Sequence, residues 1–275
     1  MVIRMEQQNA LTLENFSKYM AKQRAELIQC EELTDSTNRV LKDLAKNGAK
    51  EGQVVIANEQ TSGRGRLGRH FFSPKDRGIY MSVLLRPDDK ACEMAPLTAW
   101  VAVAVANAIE AVSGVRPGVK WVNDLILNGK KVCGIMTELA VKEDSNKVDY
   151  IIIGIGINVS GTRDEFPEEL QQMASSIEAE TGVAVSRAQL VAEILRELDL
   201  LSENWQIETL KYLEQYRKDC ITIGKEVRVL SPEGERAATA LSVEKDFSLL
   251  VRYDVGTIER VYSGEVSVRG LYGYT

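Results

Sequence analysis

The chain has 275 residues, 44% apolar and 27% charged, which is enough for a substantial core in one large domain or one large and one small. Lys and Arg total 34 against 40 Asp and Glu, a formal net charge of −6. That balance argues against a general nucleic-acid-binding surface, which neutralises phosphates with basic residues, but leaves room for one local basic site. Cys30, Cys92, Cys133 and Cys220 are widely spaced and His70 is the single histidine, so neither a CxxC redox pair nor a Cys/His metal cluster is expected. The start of the chain is polar (Glu6, Gln7, Gln8, Asn9), without the apolar stretch of a signal peptide. The most apolar stretch, Ala95 to Val112, is alanine-rich and broken by Asn107 and Glu110, and reads as a buried core helix and not a membrane span. The expected compartment is the cytoplasm, with no membrane partner.

Residues 11–24 have the pattern of a short amphipathic helix. Asp35-Ser36 has the look of an N-cap; the helix it opens carries Val40, Leu41, Leu44 and Ala45 on one face and stops at Gly48. Val54–Ala57 is a buried strand, residues 61–70 a glycine–arginine loop, and Ile79–Leu85 a strand ended by Arg86-Pro87. A helix over 96–113 begins with proline in its first turn and stops at Gly114. Val119–Val122 and Val132–Leu139 are strands around an Asn128-Gly129 hairpin turn, and residues 151–159 form a buried strand with two glycines. Helices follow near 187–203 and 206–218. From about Ile221 short β-rich runs alternate with turns such as Ser231-Pro232-Glu233-Gly234, the pattern of a small all-β barrel. There is no internal repeat and no low-complexity linker, so the small domain is expected to pack directly on the large one.

Gly63-Arg64-Gly65-Arg66-Leu67-Gly68 matches GxGxxG, and a strand precedes it. A dinucleotide fingerprint also needs a helix to begin inside the motif, and Arg69-His70-Phe71-Phe72-Ser73-Pro74 is no helix start. Nor is there a Gly-Lys-Ser/Thr for a P-loop. Glycines let a backbone approach a ligand closely, and arginines supply planar, permanently charged donors for carboxylate and phosphate. Such a loop suits an anionic small molecule; a solvated surface loop would carry the same residues. In Lys120-Trp121-Val122-Asn123-Asp124 and Lys130-Lys131-Val132-Cys133-Gly134, a hairpin brings Asn123 and Asp124 across from Lys131. Asp124 then suits Mg²⁺ and Lys131 a phosphate oxygen, while a plain turn with solvated lysines fits equally well.

Together with Asp35-Ser36-Thr37-Asn38, Gly154-Ile155-Gly156-Ile157-Asn158 and the tail Gly264-Glu265-Val266-Ser267-Val268-Arg269, these segments resemble the biotin–protein ligases in order and spacing over roughly residues 26–275. The resemblance implies an α+β fold: a class II synthetase-like catalytic domain with a mixed sheet over 26–219, then an SH3-like β-barrel over 220–275, with residues 1–25 as an N-terminal extension. It implies that Ser36, Thr37, Asn38 and Gln60 bind the biotin head. Arg64, Gly65 and Arg66 lie in a loop that closes over biotin and the activated intermediate. Lys131 reaches the carboxylate and the α-phosphate, and Lys131, Arg66 and Arg64 form the catalytic set. Arg66, Arg69, Phe71, Asn123, Lys131, Asn158 and Tyr216 make the nucleotide site, with Tyr216 packed on adenine, and Asp124 is the metal-side acid for Mg²⁺. ATP and biotin are the implied substrates. The implied partners are a biotin carrier domain of acetyl-CoA carboxylase or a similar enzyme, and a second copy in a homodimer. The sequence departs from the family at Val122, where many members have proline, and at Phe71, where many have tryptophan, so the pocket wall is expected to differ in shape. About 25 residues before the main domain cannot supply a helix-turn-helix head, so a ligase without DNA-binding activity is expected. The rivals are a lipoate–protein ligase with the same two-step chemistry, a biotin-responsive DNA regulator, and a non-catalytic binding module. His70 is expected to be a loop residue and not a general base.

Overall fold

The computed structural model describes residues 10–231, 234–254, 256–263 and 267–270. In chain order the elements are α1 (Leu13–Phe16), α2 (Lys22–Ala25), β1 (Ile28–Glu31), α3 (Thr37–Lys46), β2 (Val54–Ala57), β3 (Gly78–Leu85), α4 (Leu97–Ser113), β4 (Gly118–Lys120), β5 (Asp124–Leu127), β6 (Lys130–Val141), β7 (Val148–Asn158), α5 (Ile177–Thr181) and α6 (Arg187–Asp219), followed by β8 (Glu226–Ser231), β9 (Gly234–Val243), β10 (Leu249–Tyr253), β11 (Ile258–Val261) and β12 (Ser267–Gly270). The first seven strands form one sheet in the order β1-β2-β3-β7-β6-β5-β4. Its one parallel pair is β1 with β2, which makes the sheet mixed. A parallel pair needs a crossover, and α3 is that crossover. This is why α3 lies on one sheet face with its N-terminus at the end of the strands.

Strand residues alternate between faces, and on β7 the alternation decides the layers. Ile151, Ile153, Ile155 and Ile157 join the main core beneath α4 and α6, whereas Tyr150 and Ile152 join Leu41 and Ala45 of α3 in a second cluster. Gly154 and Gly156 continue the α3 face, where α3 gives way to open cleft. The helical stretch Ala91–Ser113, which contains α4, is long and apolar enough to cross a membrane, but Trp100 to Ala106 are buried without a break inside the fold.

Three sequence expectations change. Residues 11–24 are two short helices, not one, separated by Ser17–Ala21; Thr12 caps the first with its side chain, and Phe16 and Ala25 enter the main core. The two helices expected near 187–203 and 206–218 are present, running end to end over Arg187–Asp219 with a kink at Glu208 (φ −100°, ψ 17°) between them. Strand β1, half exposed at the sheet edge, was not anticipated; its four residues are too few and too polar to announce a strand. The Asn128-Gly129 turn is as expected, with both residues at positive φ (47° and 77°), but the strand entering it is β5, and the strand expected over 119–122 is the separate β4, which ends at Lys120.

The remaining five strands make a separate antiparallel sheet in the order β11-β10-β9-β8-β12. Of the expected turn at 231–234, Pro232 and Glu233 lie outside the described residues, as do Gly264, Glu265 and Val266 of the tail motif. This sheet packs directly on the first unit, as the missing linker implied. Trp121 Nε1 donates to the Phe247 carbonyl at 3.0 Å, the Trp121 amide to Thr222 Oγ1 at 2.9 Å, and Arg217 Nε to the Val243 carbonyl at 2.7 Å. Phe247 lies edge-on to Tyr216 and Trp100, so one apolar core runs through both units.

Candidate active site

Ser36 is the N-cap of α3, extended at φ −161°, but its hydroxyl makes no cap bond. The helix is capped from outside. Gln60 Oε1 accepts from the Thr37 amide at 2.9 Å and from Thr37 Oγ1 at 3.2 Å. A first-turn N–H has no partner within its own helix, so the borrowed acceptor satisfies it and the Ser36 hydroxyl is left for the cleft that it lines. Gln60 Nε2 donates to Ser73 Oγ at 3.1 Å, and Ser73 Oγ to the Phe71 carbonyl at 2.9 Å. Asn38 Nδ2 donates to Glu138 Oε2 at 2.8 Å, and Asn38 Oδ1 accepts from Ser82 Oγ at 2.6 Å.

The glycine–arginine loop is a small closed hairpin and not a helix start. The Gly65 amide donates to the Arg69 carbonyl at 2.7 Å and the Phe71 amide to the Gly63 carbonyl at 2.9 Å. Leu67 (φ 57°) and Gly68 (φ 72°) turn the tip in the left-handed region. From this tip Arg66 reaches across the cleft, donating to Asn123 Oδ1 at 3.0 Å and to the Ser263 carbonyl of the C-terminal unit. Burial disfavours the charged form of Arg66, and the nearby Asp124 carboxylate pulls the other way. Arg64 and Arg69 are exposed on the loop's flanks; Arg64 lines the smaller of two clefts and Arg69 the larger.

Lys131 meets Asp124 as expected, but through a shifted register and not as a direct cross-strand pair. The register pairs Asp124 with Gly134 and Ile126 with Lys131, with a shift between Leu125 and Ile126 that leaves Val132 as an extra residue. Such a bulge re-aims a side chain, and here it turns Lys131 onto the face that carries Gly134. Lys131 Nζ then lies 2.7 Å from Asp124 Oδ1 and 5.8 Å from the centre of the Phe71 ring. Asn123 is fixed by its Nδ2, which donates to the Ile135 carbonyl at 2.9 Å and to Asp124 Oδ1 at 3.2 Å. The glycines of β6 and β7 make room for these groups. A Cβ at Gly134 would sit 2.9 Å from Lys131 Nζ, at Gly156 2.7 Å from the Phe71 ring, and at Gly154 2.3 Å from Asn38 Oδ1.

These residues line two adjoining clefts. The smaller, about 480 Å³ with its open mouth, is walled by Ser36, Thr37, Asn38, Gln60, Gly154 and Gly156 among others. The larger, about 1780 Å³ with its mouth, carries Arg69, His70, Asp124 and Asn158. Gly65, Arg66, Phe71, Asn123 and Lys131 line both, so two cations stand at the junction. Asn158 Nδ2 donates to the Ser175 carbonyl at 3.0 Å at the far end of the larger cleft. Arg228 and Val268 of the C-terminal sheet complete its wall. Sequence reasoning missed them, since an arginine within a β run carries no local sign of its tertiary neighbours. It also missed Ser73, Ser82 and Glu138.

One expected site residue is elsewhere. Tyr216 lines neither cleft; its ring is fully buried under Phe247, and its hydroxyl donates to the Val122 carbonyl at 3.2 Å. Burial raises its hydroxyl pKa well above the usual value. The aromatic expected to pack on adenine is therefore a core residue joining α6 to the C-terminal sheet. Among the described residues no three acidic, Cys or His side chains gather into a metal-holding group. Asp124 is a single carboxylate beside the junction, which suits Mg²⁺ carried mainly by phosphates.

Two clefts that share Arg66 and Lys131 on their common wall have the shape and basic side chains to suit a pair of anionic small molecules. The model of the Biotin/lipoate A/B protein ligase family matches residues 30–158, and that of the Biotin protein ligase C terminal domain matches residues 222–269. The Bifunctional ligase/repressor BirA of Bacillus spizizenii (strain ATCC 23059 / NRRL B-14472 / W23) is 36% identical over 243 residues, covering 86% of this chain and 73% of that protein. The Biotin--[acetyl-CoA-carboxylase] ligase of Mycobacterium tuberculosis is 33% identical over 213 residues, 74% of each chain. The biotin protein ligase from Aquifex aeolicus in complex with biotin and ATP superposes with a TM-score of 0.75 at 27% identity, covering 88% of this chain and 98% of that one. The chain belongs to the biotin protein ligase family.

Proposed function

We propose that the chain activates biotin with ATP and transfers it to a lysine of a biotin carrier domain of the acetyl-CoA carboxylase type. The single observation that carries this is the shared wall: Lys131 and Arg66 line both clefts. Biotin occupies the smaller cleft, its head against Ser36, Thr37, Asn38 and Gln60 and its carboxylate toward Lys131. ATP occupies the larger, against Arg69, Phe71, Asn123 and Asn158, with Arg64 at the mouth of the biotin cleft. A carboxylate oxygen of biotin attacks the α-phosphorus, the bond to pyrophosphate breaks, and biotinyl-adenylate forms. Two anions must meet, and preorganised cations in a partly dry site lower the cost of the charge that develops. In the second step the carrier lysine amine attacks the acyl carbon, the bond to AMP breaks, and the amine loses a proton. No enzyme nucleophile is needed, and His70, exposed on the loop, is given no role.

Mg²⁺ belongs to this reading, with Asp124 as its one protein carboxylate; it would supply further charge neutralisation at the phosphates. The domain division at about residue 220 and an SH3-like character of the second sheet are part of it too. Arg228 and Val268 in the cleft wall support a role of that domain in holding nucleotide. Truncation before Ile221 is therefore expected to abolish turnover and lower the melting temperature, because Tyr216 and Trp121 lose their Phe247 contacts. A fully active, stable fragment would count against it. A homodimer is also proposed. Among the described residues no strand pairs with the outer edge of β6 beyond Gly134, and Leu139 and Val141 are exposed there. Sedimentation across a concentration series tests it.

The direct test is incubation with ATP, Mg²⁺, biotin and a biotin-carrier domain, followed by intact mass measurement. One biotinyl addition per carrier, dependent on ATP, is expected; addition of lipoate in preference to biotin would overturn the assignment. Gly154→Ala is expected to weaken biotin binding roughly tenfold to a hundredfold, the scale of overpacking. Its Cβ would meet Asn38 Oδ1 at 2.3 Å, so Asn38 must move. Calorimetry showing unchanged affinity would remove Asn38 from the pocket.

A further inference from the structure

We infer that Glu138 and Ser82, which touch no substrate in the mechanism above, are positioning residues that decide which end of the Asn38 amide faces the ligand; this rests on the assignment of the smaller cleft to biotin. An amide side chain can offer a cleft either a donor or an acceptor, and which it offers is set by the partners of its other atoms. Glu138 Oε2 accepts from Asn38 Nδ2 at 2.8 Å, and a carboxylate can only accept. Ser82 Oγ, fully buried on β3, lies 2.6 Å from Asn38 Oδ1 and 2.8 Å from Thr37 Oγ1; of these two only the Thr37 hydroxyl can donate back, so the one Ser82 proton goes to Asn38 Oδ1. The amide oxygen is thus turned into the protein, and the second N–H of Asn38 is what the cleft receives. Gln60 is turned the same way, because its oxygen caps α3 through Thr37 while its nitrogen donates to Ser73. The cleft floor is donor-rich, a match for the carbonyl oxygen of a cyclic urea and a poor match for a dithiolane, which has no oxygen acceptor.

Local geometry supports the arrangement from three sides. Glu138 lies on β6 opposite Ile152, two residues along from the Met136–Gly154 pair, so it shares the cleft face. Lys42, one helical turn after Asn38 on α3, holds the other oxygen, Oε1, at 3.6 Å. Gly154 leaves the space that Asn38 Oδ1 fills. None of Lys42, Ser82 and Glu138 lies in a sequence motif of the site, and Glu138 and Ser82 reach Asn38 only through tertiary packing.

The test is biotin calorimetry on the full chain, with adenylation kinetics on the same proteins. Glu138→Gln and Ser82→Ala are each expected to raise the biotin Kd about tenfold, the effect of one net hydrogen bond, while the ATP KM and the rate at saturating biotin stay within threefold. The decisive variant is the double exchange Asn38→Asp with Glu138→Gln. It conserves charge and can rebuild the bond between the two positions, but with donor and acceptor reversed. A merely structural role requires the double variant to bind biotin better than Glu138→Gln alone. Orientation control requires it to bind at least about a hundredfold more weakly than wild type, with a melting temperature close to the Glu138→Gln value, because an acceptor now faces the urea oxygen. Recovery of affinity in the double variant, or wild-type affinity in both single variants, overturns the proposal. Absence of biotin binding by the wild-type protein would instead overturn the functional assignment beneath it.

Discussion

Lys131→Ala is expected to lower the rate of pyrophosphate release by roughly 10²–10³, the scale of losing one preorganised charge-stabilising group. Lys131 Nζ sits where the two clefts meet, held 2.7 Å from Asp124 and over the Phe71 ring. Its removal leaves Asp124 without that cation beside two incoming anions, so repulsion adds to lost attraction. The effect should fall on the chemical step, which single-turnover measurement at saturating biotin and ATP isolates. Lys131→Arg should rescue poorly. The ammonium is a compact charge 2.7 Å from Asp124, and the longer, planar guanidinium would carry its charge past that point. Pyrophosphate release within threefold of wild type in Lys131→Ala would take the residue out of the mechanism.

Arg66→Ala should act on retention more than on the first chemical step. The guanidinium ties the loop tip to Asn123 of the catalytic unit and to the Ser263 carbonyl of the C-terminal unit. Two charge-assisted bonds of about 1.5–3 kcal/mol each hold the loop closed over the junction. Without them the loop should open, and the adenylate should escape or meet water roughly tenfold to a thousandfold faster, with weaker biotin binding. A pulse-chase with unlabelled biotin reads the escape, and free biotinyl-adenylate in the medium reads the leak. Unchanged retention together with unchanged biotin affinity would show that the closed loop is not a barrier. Because Asn123 is independently fixed to the Ile135 carbonyl, Arg66→Ala should leave the hairpin intact and the melting temperature within a few degrees.

Local chemistry made much of this molecule readable in its sequence. The Asn128-Gly129 turn, the Gly114 stop of α4, the apolar β7 and the β-rich tail each follow from backbone preference or hydrophobic period within a few residues. The glycine–arginine loop was readable as no helix start for the same reason. Boundaries failed where tertiary packing overrode local signals, as at the edge strand β1. Tyr216 failed differently. A tyrosine on a helix near a site is compatible with stacking on a base or with the core, and only the packing of Phe247 against it decides for the core.

What the sequence determined by itself was the inventory: permanent cations beside glycines, a carboxylate and an amide near a lysine, and two sheet-forming units without a linker between them. The tertiary structure alone decided the aim of those groups. A one-residue bulge turned Lys131 toward Asp124, the outside cap from Gln60 left the Ser36 hydroxyl to the cleft, and Glu138 and Ser82 set the Asn38 amide. The physical reason is that residue type fixes what a side chain can donate or accept. Its direction depends on strand register and on partners up to 100 residues away along the chain, as between Asn38 and Glu138.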